Sequence, residues 1–152
     1  MNYRDLFGEI LADHHESPRH WGAIPGCTHV EKGFNPLCGD RVSISLQVDR
    51  DSAGVERLSQ CAFEGEGCSI CMASASIMSE MIQGKTSAEL DALIEAFRKK
   101  MQGEEFVQGL PAEDSGEDVT ALYGVKRFPV RIKCALLPWT TLKKGLEACH
   151  AK

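Results

Sequence analysis

Nothing in these 152 residues approaches the ~18 consecutive apolar positions that a membrane-spanning helix needs, which argues against a membrane protein. The chain also lacks a basic excess. A formal charge of -5 and a pI near 5.5 leave no cationic footprint for nucleic acid or an anionic membrane, so protein or small-molecule partners are expected. Gly/Ser/Pro tracts, internal repeats and linkers are missing too, and with 43% hydrophobic residues the length suits one domain, 1–152, around one core. The opening "MNYRDLFGEILADHHESPRHW" carries apolar residues at helical spacing, Tyr3, Phe7, Ile10, Leu11 and His14, with charges between them, so it does not read as a signal peptide. A cytoplasmic location is expected.

What the chain has in excess is cysteine. Seven is an odd and high number, and in a reducing compartment it points to metal or thiol chemistry rather than a disulfide framework.

Periodicity assigns the frame around them. A first helix is predicted over 2–16, ended by Ser17-Pro18, because a residue before proline disfavours helical backbone. A weak edge strand is predicted near 28–32. Val42, Ile44, Leu46 and Val48 alternate with Ser43, Ser45 and Gln47, the period-two pattern of a half-buried strand; a loop at 49–54 and an antiparallel partner at 57–64 follow. Residues 68–83 form a small-residue helix closing at Gly84. Thr86 and Glu89 make a capping box for a helix to Met101, with a stripe of Leu90, Leu93, Ile94, Phe97 and Met101. The acidic, turn-rich residues 104–118 read as a solvated loop or insertion. Beyond Pro129 comes a last helix, with Pro138 near its first turn or kinking it.

In "NPLCGD", Cys38 and Asp40 are two apart in extended chain and share a side with Val42 and Ile44, so both can reach one ligand. Cys68 follows Gly65-Glu66-Gly67 at a helix start, where unpaired amides favour a thiolate. Cys71 completes a C-x-x-C, either a redox pair, half of a metal site or a core residue. Cys134 follows Arg131 and Lys133, either cations that lower its pKa or a solvated pair beside a thiol that packs inward. Three thiols and one carboxylate supply a tetrahedral set that zinc suits best, and their wide spacing excludes a zinc ribbon or finger. A buried aspartate is tolerable where a divalent cation pairs it. Cys27, Cys61 and Cys149 read as packing residues; His14, His15, His20, His29 and His150 read as solvated or hydrogen-bonded.

These residues resemble a family. "ADHHESPRHWG" is similar to the helix end, and "NPLCGD", "GEGCSICMASAS" and "RIKCALLPW" to the three cysteine motifs, of the iron-sulfur assembly proteins related to IscU and the NifU N-terminal domain. The SufU branch is the nearer one: Lys133 stands where IscU-type proteins carry histidine, residues 104–120 resemble the SufU insertion, and the LPPVK chaperone motif is missing. Cys71 departs from the pattern, which has serine or alanine there. The resemblance implies a small α+β domain, IscU-like, in which helices pack a three-stranded antiparallel sheet with a metal site at one end. It implies zinc on Cys38, Asp40, Cys68 and Cys134, sulfur accepted by Cys38 from a SufS-type cysteine desulfurase, and help from Arg131 at the site or the partner contact. Downstream cluster scaffolds or apo-acceptor proteins would be further partners. Two alternatives stay open: a scaffold holding a labile iron-sulfur cluster on the same residues, and a non-catalytic zinc-stabilised interaction domain.

Overall fold

The structure, a computed structural model, describes residues 3–105, 107–112 and 115–151, with the side chains of 3–7 and 151 outside that set. The helical stripe expected of Tyr3 and Phe7, and Phe106, Glu113 and Asp114 of the predicted insertion, therefore lie outside the described side chains.

The elements in chain order are α1 (Tyr3–Glu16), β1 (His29–Asn35), β2 (Asp40–Arg50), β3 (Glu56–Glu66), α2 (Ser69–Ile82), α3 (Ser87–Met101), a 3-10 segment (Asp118–Arg127) and α4 (Pro129–Ala151). The strands form one antiparallel sheet in the order β1-β2-β3. This is the α+β architecture expected, a three-stranded sheet packed by helices, and the alternation read in β2 places Val42, Ile44 and Leu46 in the core. Asp51 closes the β2–β3 hairpin, its carboxylate accepting from the Ala53 and Val55 amides.

The helices cover the inner face of the sheet. α4 lies on β1 and β2, and α2 packs against β3 and α4. The approach of α4 to β1 is so close that a Cβ at Gly33 would overlap the Thr141 hydroxyl, which is why that strand position carries no side chain. Phe97 of α3 stacks on Trp139 of α4 at 4.2 Å between ring centroids, joining the predicted α3 stripe to the middle of the core. Among the described residues no helix is long and apolar enough to cross a membrane.

Several features differ from expectation. β1 runs to Asn35, three residues beyond the predicted edge strand, because the ladder continues to the Asn35–Asp40 rung. α1 is interrupted at Gly8, whose φ of 86° is non-helical. Residues 118–127, read partly as loop, form the 3-10 segment, with Val119, Leu122, Tyr123 and Val125 buried. Of the two places anticipated for Pro138, it takes the one inside α4 and not the one in its first turn. Beside it, the buried Ser74 hydroxyl donates to the Ala135 carbonyl (2.6 Å) and accepts from the Trp139 indole N–H (3.0 Å), tying α2 to α4.

Candidate metal centre

Three separate stretches deliver the thiols and carboxylate to one end of the sheet. Asp40 is the first residue of β2, and the four-residue turn 36–39 that precedes it carries Cys38. Cys68 is the N-cap of α2, immediately after β3. Cys134 lies early in α4, and Arg131 one turn before it. The ligand atoms of Cys38, Asp40 and Cys134 all lie within 4.8 Å of one another. Cys68 is outside that tight triple but joins it through its backbone, whose N–H donates to Asp40 Oδ1 at 2.8 Å. Its thiol, like that of Cys38, is within hydrogen-bonding reach of Cys134.

Burial grades the four. Asp40 and Cys134 are fully buried, whereas Cys38 and Cys68 are half-buried, and Cys38 lines the opening. Leu37 and Val130 flank that opening at 74% and 72% exposure, an apolar rim beside a polar floor. Phe128, Pro129 and Arg131 complete the wall on the α4 side.

The Asp40 carboxylate receives a neutral donor on each oxygen: the Cys68 N–H on Oδ1, and Asn35 Nδ2 on Oδ2 at 3.2 Å. Each oxygen keeps accepting capacity, since a carboxylate offers about four lone-pair sites. In the sequence Asn35 stands before Pro36, where it reads as part of a turn. It is 7% exposed, and its carboxamide also faces Cys134 Sγ at 3.8 Å while its Oδ1 accepts from the Leu37 N–H at 3.3 Å. One side chain thus ties the turn, the carboxylate and a distant thiol together. The only sequence signal was a polar residue on the inward parity of β1.

Gly67 is required by the same carboxylate. A Cβ there would stand 2.5 Å from Asp40 Oδ1 and 2.9 Å from Asp40 Cα, so β3 can pass behind the aspartate only without a side chain.

Of the two readings of Cys134, the structure has the inward-packed thiol, and the neighbouring cations do not lower its pKa. The thiol is pushed far up, first by burial and then by hydrogen bonds shared with Asp40, Cys38 and Cys68. Lys133 points to solvent. Arg131 does reach the site, and its pKa is raised chiefly by a hydrogen bond to Cys134. Burial wins on the sulfur side of that contact, because it removes the thiolate from water entirely while the guanidinium remains largely hydrated. Cys71 is also fully buried; desolvation first, then the charges of Asp40, Cys68 and Cys38, raise its pKa strongly. Cys61 is packed in the core as expected, its thiol pushed up to about 12 by burial. Cys27 and Cys149 are half-buried.

The donor set fits zinc. Zn–S and Zn–O bonds of ~2.3 and ~2.1 Å put tetrahedral ligand atoms about 3.6–3.8 Å apart, comparable with the 4.8 Å within which those of Cys38, Asp40 and Cys134 lie. A buried carboxylate with spare lone pairs beside three thiols is a cavity that a divalent cation would neutralise.

His14 belongs to a different region. It is fully buried in α1, with Nδ1 against Ser76 Oγ at 2.7 Å and Nε2 against Asp118 Oδ2 at 2.6 Å, so it clamps α1, α2 and the 3-10 segment together. It is hydrogen-bonded, one of the two environments anticipated for it.

The NifU-like N terminal domain family matches residues 7–152. A protein of Bacillus subtilis (strain 168) named zinc-dependent sulfurtransferase SufU is 39% identical over 95% of this chain and 92% of its own length. An iron-sulfur cluster assembly scaffold protein IscU of Thermotoga maritima is 35% identical, over 97% of this chain and 96% of its own. Among solved structures, a SUF-system iron-sulfur cluster assembly scaffold protein from Fervidobacterium islandicum AW-1 (FiSufU) superposes with a TM-score of 0.79 at 32% identity, over 95% of this chain and 99% of that one.

Proposed function

Because the chain belongs to the NifU-like N-terminal domain family, the group of iron-sulfur assembly proteins that includes SufU and IscU, we propose that it is a zinc-dependent sulfurtransferase. In this reading residues 1–152 act as one domain, with an insertion around 104–120, and accept persulfide sulfur from a SufS-type cysteine desulfurase in the cytoplasm. The supporting observation is the convergence of Cys38, Asp40 and Cys134 within 4.8 Å, with Cys38 alone of the three reaching the opening.

Zinc held by Cys38, Asp40, Cys68 and Cys134 would keep the thiols deprotonated yet unreactive outside the partner complex. The chain's own residues do the rest. Leu37 and Val130 offer an apolar rim on which a desulfurase can dock and exclude water. The Cys38 thiolate attacks the outer sulfur of the desulfurase persulfide; the S–S bond there breaks, the partner cysteine leaves as thiolate, and Cys38 becomes the persulfide. Arg131 sits beside Cys134 with its guanidinium toward the sulfurs, where it offsets the negative charge that accumulates during exchange.

Cys38→Ala is expected to abolish stimulation of cysteine desulfuration, and unchanged stimulation refutes the acceptor role. Elemental analysis of the same sample should find one zinc per chain and little iron. The competing reading is a cluster scaffold on the same ligands, favoured by the name of the Thermotoga relative. It requires a visible chromophore after anaerobic reconstitution that transfers to an apoprotein.

A further inference from the structure

His14 carries a second set of donors that the thiol site does not use. Its ring is fully buried in α1, and Nε2 meets carboxylates from two other elements: Asp118 Oδ2 of the 3-10 segment at 2.6 Å and Glu80 Oε1 of α2 at 3.8 Å. One ligand atom from each of the three residues lies within 4.8 Å of the other two. Both carboxylate side chains are about half-exposed, at 46% and 47%, so water and ions reach them while the nitrogen stays anchored in the core. The charges around them do not balance. Arg19 faces the cluster with Nε 3.8 Å from Glu80, but its closer ion pair is with Asp13 at 2.5 Å. Glu80, Asp118 and a further carboxylate, Glu117, line one cavity of about 440 Å³.

The imidazole is also oriented from behind. Ser76 Oγ lies 2.7 Å from Nδ1 and accepts from the Arg19 N–H at 2.8 Å. A hydroxyl has two acceptor lone pairs, so the same oxygen can take a proton from Nδ1 as well. That tautomer leaves the Nε2 lone pair facing carboxylate oxygens, an arrangement that a cation between them turns from repulsive to favourable. Metal-bound histidines are commonly fixed in this manner, through the ring nitrogen that does not touch the metal.

We propose that His14, Glu80 and Asp118 bind a divalent cation of borderline hardness, at a site separate from the thiols. One imidazole and two carboxylates, completed by water, suit an ion of the Mn²⁺ class, whereas the sulfur-rich set selects a softer one. The distances agree with this. Octahedral bonds of ~2.1 Å place adjacent ligand atoms about 3.0 Å apart, and the 2.6 and 3.8 Å separations from Nε2 bracket that value. The cation takes the place of the proton shared between Nε2 and Asp118, and that proton passes to Nδ1, so the imidazole stays neutral. Asp118 moves out slightly, Glu80 closes in, and the two carboxylates are neutralised together.

The test titrates the full chain, carrying one equivalent of zinc, with MnCl₂ and follows the electron paramagnetic resonance signal of free aqueous Mn²⁺. Mn²⁺ is the probe because thiolates hold it poorly, which keeps the sulfur site silent. One ion per chain should disappear from the free signal, and pulsed measurements on the bound ion should show ¹⁴N modulation from one directly bound imidazole. Glu80→Gln and Asp118→Asn each remove a charge at a half-exposed position and leave the buried ring in place. Each should weaken Mn²⁺ binding at least tenfold, with circular dichroism and zinc content equal to the parent. Glu117→Gln, which alters the same cavity outside the triple, should change it less than threefold. Mn²⁺ that stays entirely free, a bound ion without ¹⁴N modulation, or a Glu80→Gln chain that binds as tightly as the parent overturns the proposal.

Discussion

Asn35→Ala should weaken zinc binding without touching a proposed ligand. The substitution removes the carboxamide that donates to Asp40 Oδ2 at 3.2 Å and faces Cys134 Sγ at 3.8 Å. A hydrogen bond to a charged partner contributes about 1.5–3 kcal/mol, and the long N···O distance places this one toward the lower end. Removing the partner of a metal-ligating carboxylate typically costs about 10–100-fold in metal affinity, or roughly 1.4–2.7 kcal/mol. Competition against a chromophoric zinc chelator measures this directly. Asn35 also accepts from the Leu37 N–H, so part of any loss could arise in the turn. Asn35→Ser separates the contributions, since its hydroxyl can still accept from the Leu37 N–H as a short turn cap but is too short to replace the carboxamide at Asp40. Affinity within twofold of the parent in Asn35→Ala would refute the reasoning, and a loss in the alanine variant alone would assign the effect to the turn.

Gly67→Ala must push its Cβ against Asp40 backbone and carboxylate; overpacking of this kind costs about 1–3 kcal/mol, so the melting temperature should fall by roughly 2–12 °C, and an unchanged melt would mean that β3 shifts freely. Cys61 supplies a pH prediction: its folded pKa is raised from 9.0 to about 12, so the unfolded chain ionises first and stability is lost as pH rises from about 9 toward 12. Denaturant titrations of the parent and Cys61→Ala across that range should show the difference between them shrink, and a constant difference would contradict the burial argument.

Much of the frame was legible because it is written in local periods. The β2 alternation, the α3 stripe and the Thr86–Glu89 capping box each need only a window of residues, and each appears where expected. What escaped depends on partners far along the chain. His14 sat on an apolar helical face, but nothing local foretold Ser76 and Asp118, 62 and 104 residues away, as its hydrogen-bond partners. Asn35 beside a proline reads as turn chemistry, and its span from Asp40 to Cys134 exists only after β1 and α4 have packed. The cations next to Cys134 misled for a related reason. Adjacency in sequence on a helix sends Lys133 and Cys134 in different directions, and burial of the sulfur decided its proton affinity. Cys38, Asp40, Cys68 and Cys134 were nevertheless identifiable as a group from residue type and motif.

The turn between Asn35 and Asp40 makes the four proposed ligands mechanically unequal. Asp40 is held in the β1–β2 ladder, Cys134 within α4 and Cys68 at the head of α2. Cys38 alone rides on a tether of four residues whose ends are pinned by the last rung of the sheet. It can swing outward by rotating that tether, with Gly39 at a φ of 70° as a compliant joint, while strands and helices keep their places. A cation gripped here would therefore lose one sulfur to an incoming protein and still be moored by three anchors.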